Sequence, residues 1–147
     1  MPVFIDTNIA VYADDRAYPD KQAIAAALIA DCYRKGEAVI STQVMQEYYH
    51  AAVNKLKIDA AFAVKRLRFF AGFEVVAATP QLVIAATDLH RLHSLSFWDA
   101  MILQSAISSG CHTLYSEDMN HGEIIGGVKI VNPFAATQKK KRKAARD

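Results

Sequence analysis

Four carboxylates, Asp6, Glu47, Asp99 and Asp118, occupy positions from which a single pocket can be built. Asp6 ends the short apolar run Val3-Phe4-Ile5. Glu47 falls about one turn into the helical pattern that follows a second run, Ala38-Val39-Ile40. Asp99 lies in the first turn of an apolar helix, Phe97–Ser109, and Asp118 follows the strand-like Thr113-Leu114-Tyr115. In an open α/β sheet, ligands bind beyond the carboxyl ends of the strands, where each following helix also begins. A parallel arrangement therefore carries all four acids to one rim, although 19 residues separate Asp99 from Asp118. Like charges in one pocket raise one another's pKa, and nearby helix N-termini offset only about 0.3–1 kcal/mol each. A divalent cation is the natural compensation. Hard oxygen donors without cysteine suit Mg²⁺ or Mn²⁺ rather than Zn²⁺. Such a site activates a water for in-line attack on a phosphoryl group and neutralises the charge that builds up there.

Taken singly, each acid has an ordinary structural role. Asp6 and Asp99 suit helix caps or first-turn charges, Glu47 suits an exposed helix face, and one of the neighbours Glu117 and Asp118 is expected to be solvated, with Glu117 the alternate to Asp118. Only their convergence distinguishes a site from four unrelated surface groups.

The elements that must position these acids follow from periodicity and breakers. Asp6-Thr7-Asn8 can end the first strand and cap the next helix. Pro19-Asp20 opens an alanine-rich helix that stops near Gly36, and Ala38–Ile40 is a second strand. Ser41 or Thr42 caps a helix carrying Val44, Met45, Tyr48, Ala52 and Leu56 at helical spacing. A helix from Ile58-Asp59 to Gly72, a strand over Phe73–Ala78, and a helix opened by Thr79-Pro80 follow. Strands at Thr113–Tyr115 and Val128–Val131 complete the pattern, the last stopped by Asn132-Pro133. Strands alternating with helices imply a three-layer α/β sandwich, with a mostly parallel central sheet of about five strands flanked by helices.

Composition bounds the alternatives. The chain has 147 residues, 52% hydrophobic and 22% charged, which suits one globular domain with an adequate core. The longest apolar run, Ala23–Ala30, is far short of a membrane span, and the N-terminus lacks a signal-peptide pattern. Two cysteines, Cys32 and Cys111, make no disulfide framework and fit a reducing compartment, so a cytoplasmic protein without membrane contact is expected. Charge is uneven: residues 139–147 carry a net +5 and the remainder −3. A domain over residues 1–134 is thus expected to precede a flexible basic tail, 135–147, able to attract a polyanion.

The runs Phe4-Ile5-Asp6-Thr7-Asn8-Ile9, Ser41-Thr42-Gln43-Val44-Met45-Gln46-Glu47, Ser96-Phe97-Trp98-Asp99-Ala100-Met101-Ile102 and Tyr115-Ser116-Glu117-Asp118-Met119-Asn120-His121-Gly122, in this order and spacing, resemble a PIN domain. They are most similar to the VapC-type ribonuclease toxins of prokaryotic toxin–antitoxin pairs. The resemblance spans about residues 3–134; the Lys-rich tail departs from it. It implies a PIN-like fold and a Mg²⁺- or Mn²⁺-dependent endoribonuclease in which Asp6, Glu47, Asp99 and Asp118 bind the metal. Thr7, Asn8 and Ser116 would orient those carboxylates by hydrogen bonds. RNA would be the substrate, with products bearing 5′-phosphate and 3′-hydroxyl ends. It further implies a homodimer held inactive by a cognate antitoxin.

Other features carry weaker expectations. Arg91, Lys139, Lys140 and Lys141 are candidates for RNA phosphate contact. Lys55, Lys57, Lys65, Arg66 and Arg68 form a solvated face or, for some, a phosphate track. Tyr48, Tyr49, Phe69, Phe70 and Trp98 suit core or interface packing better than base stacking. Glu47–His50 and His90–His93 have ligand-like spacings but suit ordinary helix positions. Two other functions compete: a phosphatase with Asp6 as nucleophile, which wants an acid where Asn8 stands, and a non-catalytic RNA-binding module driven by the tail.

Overall fold

The computed structural model describes residues 1–136. Lys139, Lys140, Lys141 and nearly all of the basic tail lie outside the described residues, and with them the expectations placed there. The element order is β1 (Val3–Ile5), α1 (Thr7–Tyr12), α2 (Pro19–Arg34), β2 (Ala38–Ser41), α3 (Thr42–Asn54), α4 (Ala60–Phe70), β3 (Glu74–Val76), α5 (Pro80–Leu92), α6 (Phe97–Ser108), β4 (Thr113–Tyr115), β5 (Ile124–Ile125) and β6 (Val128–Val131). The sheet order is β3-β2-β1-β4-β6-β5. Every pairing is parallel except β5 with β6.

The expected parallel α/β sandwich is therefore present, with two differences in detail. The sheet has six strands rather than about five. The extra one, β5, is a two-residue edge strand closed onto β6 by Gly126-Gly127, both at positive φ. Such a loop needs left-handed backbone at both positions. Gly126 is also confined, since a Cβ there would fall 2.6 Å from Ile107 Cδ1. The third strand is shorter than Phe73–Ala78: Phe73 is buried in the turn before it, and Ala77-Ala78 are exposed.

Apolar residue types explain the centre. β1 is buried throughout and pairs with β2 on one side and β4 on the other. Phe4, Ile40, Leu114 and Ile130 have essentially no exposure. Two-sided burial accounts for near-continuous apolar strands. α6 is apolar over most of its surface, burying Ala100, Met101, Ile102, Leu103 and Ala106. Phe134 is fully buried with its ring edge-on to Tyr12, which ties the end of the domain to α1.

Topology then locates the site. From β1 the chain builds outward through β2 and β3, then returns to the other side of β1 to lay down β4. The connections reverse direction between β1 and β4. In an open parallel sheet the crevice beyond the carboxyl ends of two such strands is where ligands bind. Asp6 and Ser116 are the residues that leave those two strands.

Candidate active site

Asp6 is buried, at 5% exposure, and fills the helix-cap role anticipated for it. It is the N-cap of α1, its Oδ1 accepting the Thr7 N–H at 2.6 Å. Its other oxygen, Oδ2, accepts the Ser116 hydroxyl at 2.7 Å. Burial raises its pKa from the usual 3.8 to about 7, and the charges of Asp99 and Asp118 push the same way against the two hydrogen bonds. At neutral pH the carboxyl is thus divided between its two protonation states. A positive charge placed beside it would favour the ionised form.

Ser116 joins two acids. Its Oγ donates to Asp6 and accepts the backbone N–H of Asp118 at 3.2 Å. Asn8 spans the same gap from α1. Its Nδ2 donates to Asp118 Oδ2 at 2.9 Å, and its Oδ1 accepts the Glu117 N–H at 3.3 Å. Asn8 and Ser116 both brace the loop after β4 against the start of α1.

Glu117 and Asp118 both line the cavity but are held differently. Glu117 turns toward α2, where Lys21 Nζ lies 2.6 Å from its Oε2. The Tyr12 hydroxyl donates to its Oε1 at 2.8 Å. Its charge is already partnered. Asp118, exposed and held by Asn8, keeps one carboxylate oxygen, Oδ1, that accepts no hydrogen bond among the described residues.

The remaining acids come from helices. Ser96 caps α6, its Oγ accepting the Asp99 N–H at 3.1 Å, so Asp99 is set in the first turn. Desolvation raises the Asp99 pKa, the Ser96 hydroxyl opposes this, and the charge of Asp118 raises it further. Glu47, on α3, accepts from Gln43 Nε2 at 2.8 Å, and the same amide donates to the Trp98 carbonyl at 3.2 Å. Gln43 thus links α3 to the start of α6. Sequence reasoning missed it, although a Gln four residues before a Glu on a helix is a recognisable side-chain pair.

Asp6, Thr7, Asn8, Glu47, Asp99, Glu117 and Asp118 all line one cavity of about 280 Å³. All four nominated acids thus share a wall. Arg91 does not reach it; it is exposed in the last turn of α5. Arg66 is not a free surface cation either, since its Nε lies 3.0 Å from Asp14 Oδ2 and its guanidinium stacks on Phe69 and Phe70. Tyr48 and Phe70 belong to the core as expected, whereas Trp98 is 64% exposed and lines the cavity. His90 Nδ1 contacts the Leu95 carbonyl at 2.8 Å in the α5–α6 turn.

The donor set fits a hard divalent cation in kind. Its side chains offer carboxylate, hydroxyl and amide oxygens. Two more buried oxygens on this wall, Thr7 Oγ1 and Gln43 Oε1, have no hydrogen-bond partner among the described residues. Buried polar atoms are normally satisfied, and hard oxygens are ligands for Mg²⁺ or Mn²⁺. Among the described residues, no three acidic, histidine or cysteine side chains are already drawn round a single point.

A central parallel sheet with acids gathered at its β1–β4 crevice defines a family, and the chain belongs to it: the PIN domain model matches residues 3–125. Two solved structures have the same fold. One is VapC20 from Mycobacterium tuberculosis, described as a sarcin-ricin loop cleaving toxin, with TM-score 0.64 and 21% identity over 79% of this chain and 89% of that one. The other is a chain of a toxin–antitoxin complex from Klebsiella pneumoniae, with TM-score 0.66 and 20% identity over 90% of this chain and 98% of that one. No curated protein matches the sequence. No helix among the described residues is long and apolar enough to cross a membrane.

Proposed function

We propose that this protein is an endoribonuclease that uses Mg²⁺ or Mn²⁺ and acts as the toxin of a toxin–antitoxin pair. One observation carries the reading: the buried Asp6 shares a cavity with Glu47, Asp99 and Asp118 at the sheet's crevice. Membership of the PIN family and the likeness to VapC20 support it.

Asp6, Glu47, Asp99 and Asp118 would hold the ion, with Ser116 and Asn8 fixing the orientation of Asp6 and Asp118. When bound, a divalent cation supplies the Lewis acidity that phosphodiester hydrolysis needs at neutral pH. Ser116 keeps Asp6 from rotating, so the carboxylate presents its remaining lone pairs in one direction. Lys21 holds Glu117 aside and limits the negative charge facing a phosphate. Water adds to phosphorus, the bond to the 3′-oxygen breaks, and that oxygen leaves with a proton. The products then carry 5′-phosphate and 3′-hydroxyl ends.

A cognate antitoxin is the proposed inhibitor, supported by likeness to a chain from a toxin–antitoxin complex. A basic antitoxin side chain, such as an arginine, would pair with the cavity carboxylates. A homodimer is proposed from the exposed Val83, Ile84 and Leu92 of α5, and a cytoplasmic setting from the two unpaired cysteines. The deciding experiment is incubation of purified protein with total RNA and Mn²⁺, with and without EDTA, followed by sequencing of the RNA ends. New 5′-phosphate ends that vanish with EDTA are expected. Equal cleavage in EDTA would overturn the reading.

A further inference from the structure

The acidic cavity does not end at the acids. A second, larger hollow of about 590 Å³ adjoins it, and Asp15 and Lys55 line both. The carboxylates of the larger hollow are largely committed. Asp14 is held by Arg66 and the Tyr48 hydroxyl, and the buried Asp15 accepts the Ala17 N–H. Asp59, at the start of α4, is exposed. Facing them are Arg16, Lys55 and Lys57, none of them ion-paired among the described residues. Phe62, 46% exposed, lines the same hollow. The two hollows together thus run from exposed Trp98, past the acids, to Lys55 and on to exposed Phe62.

Lys57 adds an independent observation. It is the one non-glycine at positive φ among the described residues, at 57°. It follows the end of α3, where the Leu56 N–H bonds the Ala51 carbonyl and the Ile58 N–H bonds the Ala52 carbonyl. Glycine or asparagine is the usual choice for a left-handed residue just past a helix, because a Cβ there is strained. A lysine held in that conformation beside the site suggests that its side chain is wanted there.

We infer that the larger hollow is a binding subsite for single-stranded RNA next to the scissile phosphate. Lys55 and Lys57 meet backbone phosphates, and Phe62 stacks on a base. This rests on the nuclease reading above. Lys55, the C-cap of α3, is eight residues beyond Glu47 on the same cavity wall, about 12 Å along the helix axis. The phosphate it meets is therefore not the one being cut. Exposed aromatics flanking a cationic groove are how proteins hold single strands. The partly shielded acids of the hollow argue against simple polyanion attraction and for contacts at fixed points.

The test is fluorescence anisotropy with a labelled single-stranded RNA of about twelve nucleotides, using full-length Asp6→Asn protein so that the RNA stays intact. In that background, the pair Lys55→Gln and Lys57→Gln should flatten the slope of log affinity against log salt by about 1.4, since each lost phosphate contact removes about 0.7. Phe62→Ala should weaken binding about 5- to 150-fold with the slope unchanged. Lys57→Gly should weaken RNA binding while leaving the melting temperature unchanged or higher, because it relieves strain. A slope unmoved by the lysine pair, or affinity unmoved by Phe62→Ala, would overturn the subsite. The second result would indicate that Phe62 serves a protein partner instead. Cleavage by wild-type protein in Mn²⁺ is measured in parallel. Its absence would remove the nuclease reading, whereas normal cleavage with unchanged binding in the variants would remove only the subsite.

Discussion

The strand-borne and helix-borne halves of the acidic rim are built differently. Asp6 and Asp118 follow β1 and β4, which are paired along their length, and Ser116 and Asn8 tie the loops after them together. Both oxygens of Asp6 are engaged. Glu47 stands in the second turn of α3 and Asp99 in the first turn of α6, two helices bridged by Gln43. Glu47 is exposed and Asp99 half-buried. One half is tied together by hydrogen bonds between its two strand ends, the other by a single side-chain amide. On the nuclease proposal, a site that accepts an ion and then a changing phosphoryl group would benefit from one firmly tied wall and one more loosely held.

The sharpest way to break this comparison is at Asp6. Asp6→Asn should reduce cleavage by about 10³-fold or more, since the fixed wall loses its central charge. Its melting temperature in EDTA at pH 8 should not fall, because the amide keeps the shape without the cost of burying a charge. Cleavage and melting measured together would check both halves of the statement.

Proton linkage is next in size. The Asp6 pKa is raised from 3.8 to about 7, so the folded state holds this proton more tightly than the unfolded chain does. The associated stability is full below pH 4 and lost as pH rises toward about 7, by up to roughly 4 kcal/mol. Melting temperatures in EDTA should carry this decline, superposed on other groups, and Asp6→Asn should remove it. A pH profile identical in the two proteins would show that Asp6 titrates normally.

Ser116→Ala should cost about 10- to 100-fold in cleavage, the usual effect of removing a group that orients a ligand. It touches both Asp6 and Asp118, so the apparent Mn²⁺ affinity should fall as well, measurable by isothermal titration. Gln43→Ala should be milder, on the order of severalfold, because Glu47 is exposed and solvent replaces the lost amide. If Gln43→Ala proved as damaging as Ser116→Ala, the helix-borne wall would be as rigid as the strand-borne one.

The legible parts of the molecule were those written in local pattern. Val3-Phe4-Ile5 followed by Asp-Thr-Asn marks a strand, its end and a cap, and the parallel-sheet rule placed Asp6 on the correct rim. The four runs quoted above carried the family resemblance. β5 was missed because two isoleucines show no alternation, although Gly-Gly between Ile-Ile and Val-Lys-Ile-Val is a hairpin signal. The Lys21–Glu117–Tyr12 triangle was hidden for another reason: its members come from α2, α1 and the loop after β4, and no local rule brings them together. For Trp98 the sequence left core and interface packing open, and its 64% exposure removes only the core.

The pairing of β1 with β4 also sets the order in which the rim can be assembled. Ser116, the tethering hydroxyl, follows Asp6 by 110 residues. Pairing across such a sequence separation is slow and late to form. A chain that still lacks the β4 segment therefore carries the first acid without Ser116 and Asp118. On the nuclease proposal, cutting would begin only after β4 has been made and paired, which would leave the earlier part of synthesis for an inhibitor to accumulate.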